Sequence, residues 1–373
     1  MRLVIFDELP DDRSRSLGVF LHDFTAHLRS ANVAFKIVRP QWRIRGVRSE
    51  WHHLVASSIL RQFAYPLWAR RKFSPDAINF VASGGLAQLL WLRPARCRTV
   101  LFCHGGTSVL AANAPEELRY RLDFGGWLRA RYLAMVRNPA FRRADLILVP
   151  SESTRSMLVR TIGISPSRVV AIHHRIDSNT FRPGDQLAAR AQLGWPAEAS
   201  IVLAIVTTER RKNLDTLLDS FALLAAQEPK ARLALAGPLS KAQRIRCERV
   251  AGQERLMLLG SLGTDKMVSC YRAANCLAHL SLYEGFGYPL VEAMACGCPI
   301  ICAARGSTPE IVRDCAESVP PLDPLAIAGV LGSLLSNRAR QEELRERGYI
   351  RARDFFGERP YIETIRRFFQ EPV

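Results

Sequence analysis

The chain has 373 residues, enough for about two domains, and it is 48% hydrophobic and 23% charged, which is ordinary for a globular protein. Its 23 glycines and 21 prolines are close to average usage, which excludes collagen-like and low-complexity chains. The 52 Lys and Arg against 35 Asp and Glu give a net charge of +17, which indicates a polyanionic partner: nucleic acid, an anionic membrane or phosphorylated ligands.

Short apolar, β-branched runs recur along the chain and predict twelve strands. In the first half they lie at Leu3–Phe6, Val33–Val38, Ala77–Val81, Thr99–Cys103, Leu146–Val149 and Val169–Ile172. In the second half they lie at Ile201–Val206, Arg232–Ala236, Leu256–Leu259, Cys276–Leu280, Pro299–Cys302 and Ser318–Val319. Helical patterns separate them, as at Leu214, Leu217, Leu218, Phe221 and Leu224. This alternation predicts an α/β fold with two doubly wound parallel sheets.

Pro183-Gly184 interrupts the chain within Phe181–Asp185 and predicts a domain boundary there. We expect an N-terminal domain over residues 1–182 and a second domain over residues 183–355. The charged tail from Asn337 to Phe369 has a helical pattern, and we expect a final helix within residues 356–373.

The apolar run at the N-terminus, Met1–Asp7, is too short for the core of a signal peptide, and we expect no leader. No stretch approaches the roughly 18 apolar residues of a membrane-spanning helix. The nine cysteines, an odd number, indicate a reducing compartment. Cys296 and Cys298 lack a second pair or a nearby histidine at ligand spacing, so we expect no metal.

The stretch from Ser281 to Pro299 follows a predicted strand and opens a predicted helix. Its glycines would let a ligand approach the backbone, and the helix N-terminus would offer N–H groups to a phosphate. Glu284 lies before the turn and Glu292 about two turns into the helix, and carboxylates accept hydrogen bonds from sugar hydroxyls. The combination points to a nucleotide sugar. Alternatively, Glu284 is a surface residue and Glu292 a helix-face charge.

A second cluster, Glu209–Asn213, follows a predicted strand and precedes the helix that starts at Leu214. Asn213 suits the N-cap of that helix. The helix dipole disfavours cations at a helix start, so Arg211 and Lys212 point to a bound anion such as a diphosphate. The alternative is a solvated basic turn.

Together these segments resemble glycosyltransferase family 4. The two glutamates, with seven residues between them in the setting Leu282–Gly297, carry the resemblance, together with Glu209–Asn213, where Arg210 stands in place of the family's proline. Further matching segments are Leu258–Gly260, Tyr271–Ala274, Thr308–Glu310, Ala144–Ser153 and Asp177–Pro183.

The resemblance implies a GT-B fold: two Rossmann-like domains facing a cleft, an N-terminal one for the acceptor and a C-terminal one for the donor. Its last helix would cross back to the N-terminal domain. It also implies retaining transfer of a hexose from a nucleotide-diphosphate sugar, without a metal or another cofactor. The chain contains no Asp-x-Asp motif, which agrees with a metal-independent transferase.

The resemblance also implies a role for each site residue. Arg211 and Lys212 would hold the diphosphate and offset the charge of the leaving group. Glu292 would take the ribose hydroxyls, and Glu284 the hydroxyls of the transferred sugar. The other donor-binding positions in this half are Gly260, Ser261 and Leu262 beside the base and Gly285, Phe286, Gly287 and Tyr288 near the sugar.

Two further site positions lie in the first half. His104 follows the strand Thr99–Cys103, where the family often carries a histidine that reaches the donor sugar across the cleft. A structural histidine at a strand end is the alternative. Gly18 fits the loop after the first strand that approaches the donor phosphate, although many members carry two glycines there and this chain has one.

Three functions remain in competition. We favour a transferase that builds a lipid-linked glycan in cell-surface polysaccharide or lipopolysaccharide synthesis, with GDP-mannose preferred as donor. The second is a transferase of the same fold that uses a UDP-sugar and a small soluble or protein acceptor. The third is a basic nucleic-acid-binding protein, against which the absence of a known basic-helix or aromatic motif speaks.

The excess charge is concentrated in the first half. Residues 1–180 contain 27 Lys or Arg and 13 Asp or Glu, whereas residues 181–373 contain 25 and 22. Two basic, aromatic-bearing stretches, His53–Phe73 and Arg119–Arg143, suit the surface of an anionic bilayer. We therefore expect a cytoplasmic protein that binds peripherally to the inner face of the membrane. The alternative is that their apolar faces belong to the core and their arginines are merely solvated.

Overall fold

The computed structural model describes residues 2–8, 15–42, 60–105, 131 and 135–370, and these form two parallel α/β units. The strands of the first unit are β1 (Arg2–Phe6), β2 (Ala34–Val38), β3 (Ile78–Val81), β4 (Thr99–Phe102), β5 (Leu146–Val149) and β6 (Val169–Ala171). Those of the second are β7 (Ser200–Ile205), β8 (Ala231–Ala236), β9 (Leu256–Gly260), β10 (Cys276–His279), β11 (Ile300–Ala303) and β12 (Glu317–Val319). All twelve predicted strands are confirmed.

Helices connect the strands, as the alternating pattern predicted. In the first unit they are α1 (Arg15–Ser30), α2 (Tyr65–Ala69) and α3 (Glu152–Ile162). In the second they are α4 (Gln186–Leu193), α5 (Leu214–Gln227), α6 (Lys241–Ala251), α7 (Thr264–Ala273), α8 (Tyr288–Ala295), α9 (Thr308–Val312), α10 (Pro324–Ser336) and α11 (Arg338–Phe356). The charged tail ends in α12 (Glu358–Gln370), so its predicted helical character is confirmed.

The first sheet has the strand order β2-β1-β3-β4-β5-β6, and the second has the order β12-β11-β10-β7-β8-β9. Every strand pair in both sheets is parallel. The direction of winding reverses between β1 and β3 in the first sheet and between β7 and β10 in the second. Ligands of open α/β sheets bind at such a reversal, outside the carboxyl ends of the strands.

The central strands of the second sheet, β7, β8, β10 and β11, are buried on both faces, which explains why they are nearly continuous apolar runs. Helix α5 turns the predicted apolar face, from Leu214 to Leu224, toward the sheet, and α10 packs beside it. The loops that follow β7 and β10 therefore extend from a closely packed core.

Packing within the chain separates residues 1–173, together with 368–373, from residues 174–367. The domain limits expected from the sequence, at 182/183 and 355/356, stay a prediction. All nine cysteines are buried and unpaired. Across the described residues, no helix is both long enough and apolar enough to cross a membrane.

Candidate functional site

The two segments that the sequence singled out meet at the carboxyl edge of the second sheet. Arg210–Lys212 forms a short 3-10 turn between β7 and α5, and Leu280–Gly287 joins β10 to α8. Because β7 and β10 are neighbouring parallel strands at the winding reversal, both segments leave the sheet at the same edge. The structure therefore brings the basic cluster and the first glutamate together.

Glu284 is the centre of this site. The Nζ atom of Lys212 donates a hydrogen bond to its Oε1 atom at 2.6 Å, and the Nη1 atom of Arg211 lies 2.9 Å from Oε2. The guanidinium of Arg211 also pairs with the exposed Glu209. Only 11% of the Glu284 side chain and 8% of the Lys212 side chain are exposed, so the pair is largely withdrawn from water.

This environment fixes the charge of Glu284. Burial opposes ionisation of the carboxyl, but Lys212 and Arg211 outweigh it and lower the pKa of Glu284 to about 2. The pKa of the neighbouring His279 is also lowered, to about 3, chiefly by burial and further by Lys212, and this leaves the imidazole neutral. At neutral pH the site thus holds an ionised carboxylate, two cations and a neutral imidazole.

Backbone and side-chain contacts hold the basic turn in place. The amide of Leu282 donates to the carbonyl of Arg211 at 2.8 Å, which ties the two segments together. Asn213 stands at the start of α5 in the left-handed conformation, with φ of +56°. Its side chain does not cap the helix as expected; instead Nδ2 donates to the carbonyl of Pro321 at 2.6 Å and Oδ1 accepts from Thr216 at 2.8 Å.

The turn that carries Glu284 is braced from behind by Gly306 and Ser307. The Ser307 hydroxyl is within hydrogen-bond distance of the carbonyls of Glu284 and Phe286, at 3.1 and 2.9 Å. Gly306 has φ of +58°, and a Cβ atom there would lie 2.9 Å from the Glu284 carbonyl oxygen. A side chain at position 306 would therefore push the turn that carries Glu284 out of place.

Helix α8 starts directly after this turn, at Tyr288, and Gly287 enables the start with φ of +95°. The first N–H groups of a helix have no acceptor within the helix, so this end can receive a phosphate or a sugar oxygen. Glu292 lies just over one turn into the helix, so the predicted two turns were wrong. Its Oε2 atom accepts a hydrogen bond from the buried Tyr271 hydroxyl at 2.7 Å.

The predicted base-binding residues lie farther along the same edge. Strand β9 ends at Gly260, which has φ of +63° and whose carbonyl accepts the amide of Gly237 at 2.7 Å. Ser261 and Leu262 follow it. In the sheet, β8 separates β9 from β7, so these positions and the basic turn are on one edge but are not in contact through adjacent strands.

The two site positions of the first unit lie at helix and strand ends. His104 follows β4; its Nε2 atom lies 3.1 Å from the carbonyl of Ala82, and its ring packs against Phe20 and Phe102. Burial lowers its pKa to about 3. Gly18 belongs to the first turn of α1, so its expected place in a loop was wrong. Contact of either residue with a donor stays a prediction.

No group of three metal-ligating side chains occurs in the ranges that the structure describes. Cys296 and Cys298 are buried among apolar residues, and burial raises the pKa of both thiols. Protonated thiols in such surroundings act as small packing residues.

Three residues near the site were not identified from the sequence: His279, Tyr271 and Ser307. His279 is a histidine inside an otherwise apolar strand, shortly before Glu284, and that position was the available signal. Tyr271 and Ser307 lie within or beside segments with a family-like pattern, but their partners are distant in sequence.

Two families of sequences match the chain. Residues 185–351 match the family described as "Glycosyl transferases group 1", and residues 17–180 match the family described as "Glycosyltransferase Family 4". Together they account for most of the chain and for both units. The chain belongs to glycosyltransferase family 4, as the two glutamates and the basic cluster predicted.

Individual relatives are similar over part of their length. The chain is 34% identical over 211 residues to D-inositol 3-phosphate glycosyltransferase of Mycolicibacterium vanbaalenii, covering 52% of this chain and 46% of that protein. It is 30% identical over 246 residues to O-antigen chain mannosyltransferase B of Escherichia coli, covering 64% of each. For the inositol-phosphate enzymes, the chain spans about half the length of the curated relatives it matches.

Solved structures resemble the chain over its whole length. Sucrose-phosphate synthase of Thermosynechococcus elongatus superposes with a TM-score of 0.78 at 20% identity, over 99% of this chain and 98% of that one. HepE of Anabaena, in complex with UDP, gives a TM-score of 0.71 at 16% identity over 99% of both chains. These similarities confirm the predicted GT-B fold.

Proposed function

We propose that the protein transfers a hexose from a nucleotide-diphosphate sugar to a glycan acceptor, with retention at the anomeric carbon and without a metal. The observation that carries the proposal is the convergence of Lys212 and Arg211 on Glu284 at the winding reversal of the donor-side sheet. Two clustered cations suit a diphosphate, and a buried ionised carboxylate beside them suits the hydroxyls of a sugar.

In this proposal, catalysis depends on cations placed where negative charge develops on the leaving phosphate. The bond between the anomeric carbon and the phosphate oxygen breaks, and its electron pair goes to the phosphate. Arg211 and Lys212 neutralise that charge. The acceptor hydroxyl then bonds to the same face of the anomeric carbon, and its proton passes to the departing phosphate. Glu284 orients the sugar and does not form a bond to it.

The donor is GDP-mannose in our first hypothesis and a UDP-sugar in the second. A relative named as an O-antigen chain mannosyltransferase supports the first, and a fold neighbour solved with UDP supports the second. Two groups of relatives bear on the acceptor. The O-antigen enzyme favours a lipid-linked glycan in cell-surface polysaccharide synthesis, whereas the inositol-phosphate enzymes favour a small soluble acceptor.

Thermal shift against GDP, UDP, ADP and their sugars tests the donor class. Saturation to about 100 times Kd stabilises the folded chain by about 2.7 kcal/mol, so the correct nucleotide stands out from the other two. Transfer is then measured with the selected donor in EDTA, and the product linkage is assigned by NMR. No stabilisation by any nucleotide, an inverted linkage or full inhibition by chelator would each contradict part of the proposal.

We further propose that the first unit binds the cytoplasmic face of an anionic membrane. Phe63 and Leu67, four residues apart, are 61% and 65% exposed, and Arg70, Arg71 and Lys72 follow them directly on the surface. Exposed apolar side chains beside a cluster of cations suit the boundary of an anionic bilayer. Residues 53–59, 119–130 and 132–134 of the two basic stretches, including Arg129, lie outside the described residues.

A further inference from the structure

His279 is a buried histidine with an unusual hydrogen-bond situation. It ends β10, only 2% of its side chain is exposed, and its Nε2 atom has no hydrogen-bond partner in the described part of the chain. Polar atoms withdrawn from water are nearly always paired, since leaving one unpaired lowers stability. An exception next to a site calls for a functional explanation.

The unpaired nitrogen faces Glu284. Nε2 lies 3.6 Å from Oε1 of the carboxylate, just beyond a hydrogen bond. That oxygen is already held by Lys212 at 2.6 Å, and Oε2 by Arg211 at 2.9 Å. The two cations therefore bind the carboxylate, and the imidazole of His279 is the next nearest of these groups.

We propose that His279 is a positioning residue, which donates a hydrogen bond from Nε2 to Glu284 when the donor diphosphate draws Lys212 and Arg211 away. This inference rests on the proposed function, because it requires an anion that competes with Glu284 for the two cations. The required movement is less than about 1 Å, from 3.6 Å to an ordinary hydrogen-bond distance.

This replacement of the two cations by His279 keeps Glu284 hydrogen-bonded after the diphosphate has bound. A buried carboxylate that loses its cationic partners becomes protonated or changes orientation unless another donor satisfies it. A neutral imidazole can satisfy it without adding a positive charge that would hold the carboxylate away from sugar hydroxyls. Burial keeps His279 neutral at physiological pH, since its pKa is about 3.

Two variants and one control test the role. His279→Leu removes the donor from a buried position, and His279→Gln keeps an N–H near the place of Nε2. Cys276→Ala, on the same strand and equally buried, reports the effect of altered packing alone. Each is measured for melting temperature, nucleoside-diphosphate affinity by calorimetry, and kcat at saturating donor.

We expect His279→Leu to lower kcat at least tenfold and to weaken nucleoside-diphosphate binding severalfold, because the hydrogen bond forms only when the diphosphate is bound. The melting temperature without nucleotide should be equal or higher. His279→Gln should recover most of kcat, and Cys276→Ala should keep it despite a lower melting temperature. In the wild type labelled with ¹⁵N-histidine, the nucleoside diphosphate should move the Nε2–H proton of His279 downfield.

The contrary outcomes separate the two proposals. If the wild type is active and His279→Leu is equally fast, only the role of His279 is overturned. The same holds if His279→Leu and His279→Gln are equally slow. An unchanged Nε2–H resonance on nucleotide binding does the same. A wild type that binds no nucleoside diphosphate overturns the proposed function, and the role of His279 with it.

Discussion

At the scale of single residues, the site is governed by competition for charge. Glu284 remains ionised in a place where burial alone would neutralise it, because Lys212 and Arg211 compensate. The same two cations are those that the sequence assigned to the diphosphate. In the proposed function, a bound diphosphate competes with Glu284 for these cations, and donor binding releases the carboxylate for the sugar.

Replacing Lys212 or Arg211 by Ala should lower donor affinity or turnover by about one to two orders of magnitude. The loss of one charge-assisted contact, about 1.5–3 kcal/mol, sets this range. Initial-rate kinetics with the donor varied measure it. Arg210→Ala, at the exposed neighbouring cation, is the control and should stay within about threefold of the wild type. Unchanged kinetics for both site variants would rule out the diphosphate assignment.

Glu284→Gln and Glu292→Gln should have different effects. The first should nearly abolish transfer yet bind the free nucleotide as tightly as the wild type or more tightly, because the diphosphate no longer competes with a carboxylate for Lys212. The second should weaken nucleotide binding through lost ribose contacts. Calorimetry with the free nucleotide distinguishes them.

Two variants serve as controls. Glu209→Gln changes an exposed carboxylate that, like Glu284, pairs with Arg211. Tyr271→Phe removes only the 2.7 Å hydrogen bond to Glu292. Glu209→Gln should retain transfer. Equal losses of nucleotide affinity in the Glu284 and Glu292 variants would contradict the division of roles.

At the scale of elements, the junction between β7 and α5 positions both cations. Asn213 holds it through two buried hydrogen bonds and a left-handed backbone. Asn213→Ala removes both bonds and replaces a residue type that tolerates the left-handed conformation by one that disfavours it, so the free energy of unfolding should fall by about 2–4 kcal/mol. Urea denaturation measures this change.

Two further variants identify why Asn213→Ala lowers the free energy of unfolding. Asn213→Gly should lose less than Asn213→Ala, because glycine tolerates the left-handed conformation. Asn337→Ala removes an exposed cap, in which Oδ1 accepts the amide of Arg340 at 3.0 Å, and should cost about 1 kcal/mol. If Asn213→Ala costs no more than Asn337→Ala, the junction is not held as described.

The elements also show what the sequence can and cannot predict. All twelve strands were predicted within one residue, and the central strands are nearly uninterrupted apolar runs because they are buried on both faces. The contact between Lys212 and Glu284, 72 residues apart, depends on the pairing of β7 with β10, which no local pattern specifies. The start of α1 was missed because its first turn has no acidic residue to mark it. The depth of Glu292 in α8 depends on the left-handed Gly287.

At the scale of the whole molecule, the two units differ in charge although they share an architecture. Each has a six-stranded parallel sheet with a winding reversal, yet residues 1–180 carry most of the net charge of +17. In residues 181–373 the 25 Lys or Arg are nearly balanced by 22 Asp or Glu, and Lys212 and Arg211 pair with Glu284. We proposed an anionic membrane as the partner for the surplus of the first unit, because an extended anionic surface fits it better than a single small ligand.

The first unit should therefore bind anionic liposomes in a salt-sensitive manner. Each cation near such a surface contributes about 1 kcal/mol, and this contribution is screened by salt. Replacing Arg70, Arg71 and Lys72 by Glu should abolish binding at low salt. Replacing Phe63 and Leu67 by Ser should lower the liposome binding that survives at high salt, because that binding comes from apolar area buried in the bilayer. Cosedimentation with vesicles of defined anionic content measures both.

A charge-matched control separates the proposed surface from the net charge of the chain. Lys241, Arg244 and Arg249 lie exposed on α6 of the second unit, and their replacement by Glu changes the net charge by the same amount. That variant should keep binding if Phe63, Leu67 and the adjacent cations form the membrane surface. Equal loss in both triple variants would mean that binding follows net charge alone. A wild type that ignores anionic liposomes at low salt would remove the membrane from the proposal and favour a small soluble acceptor.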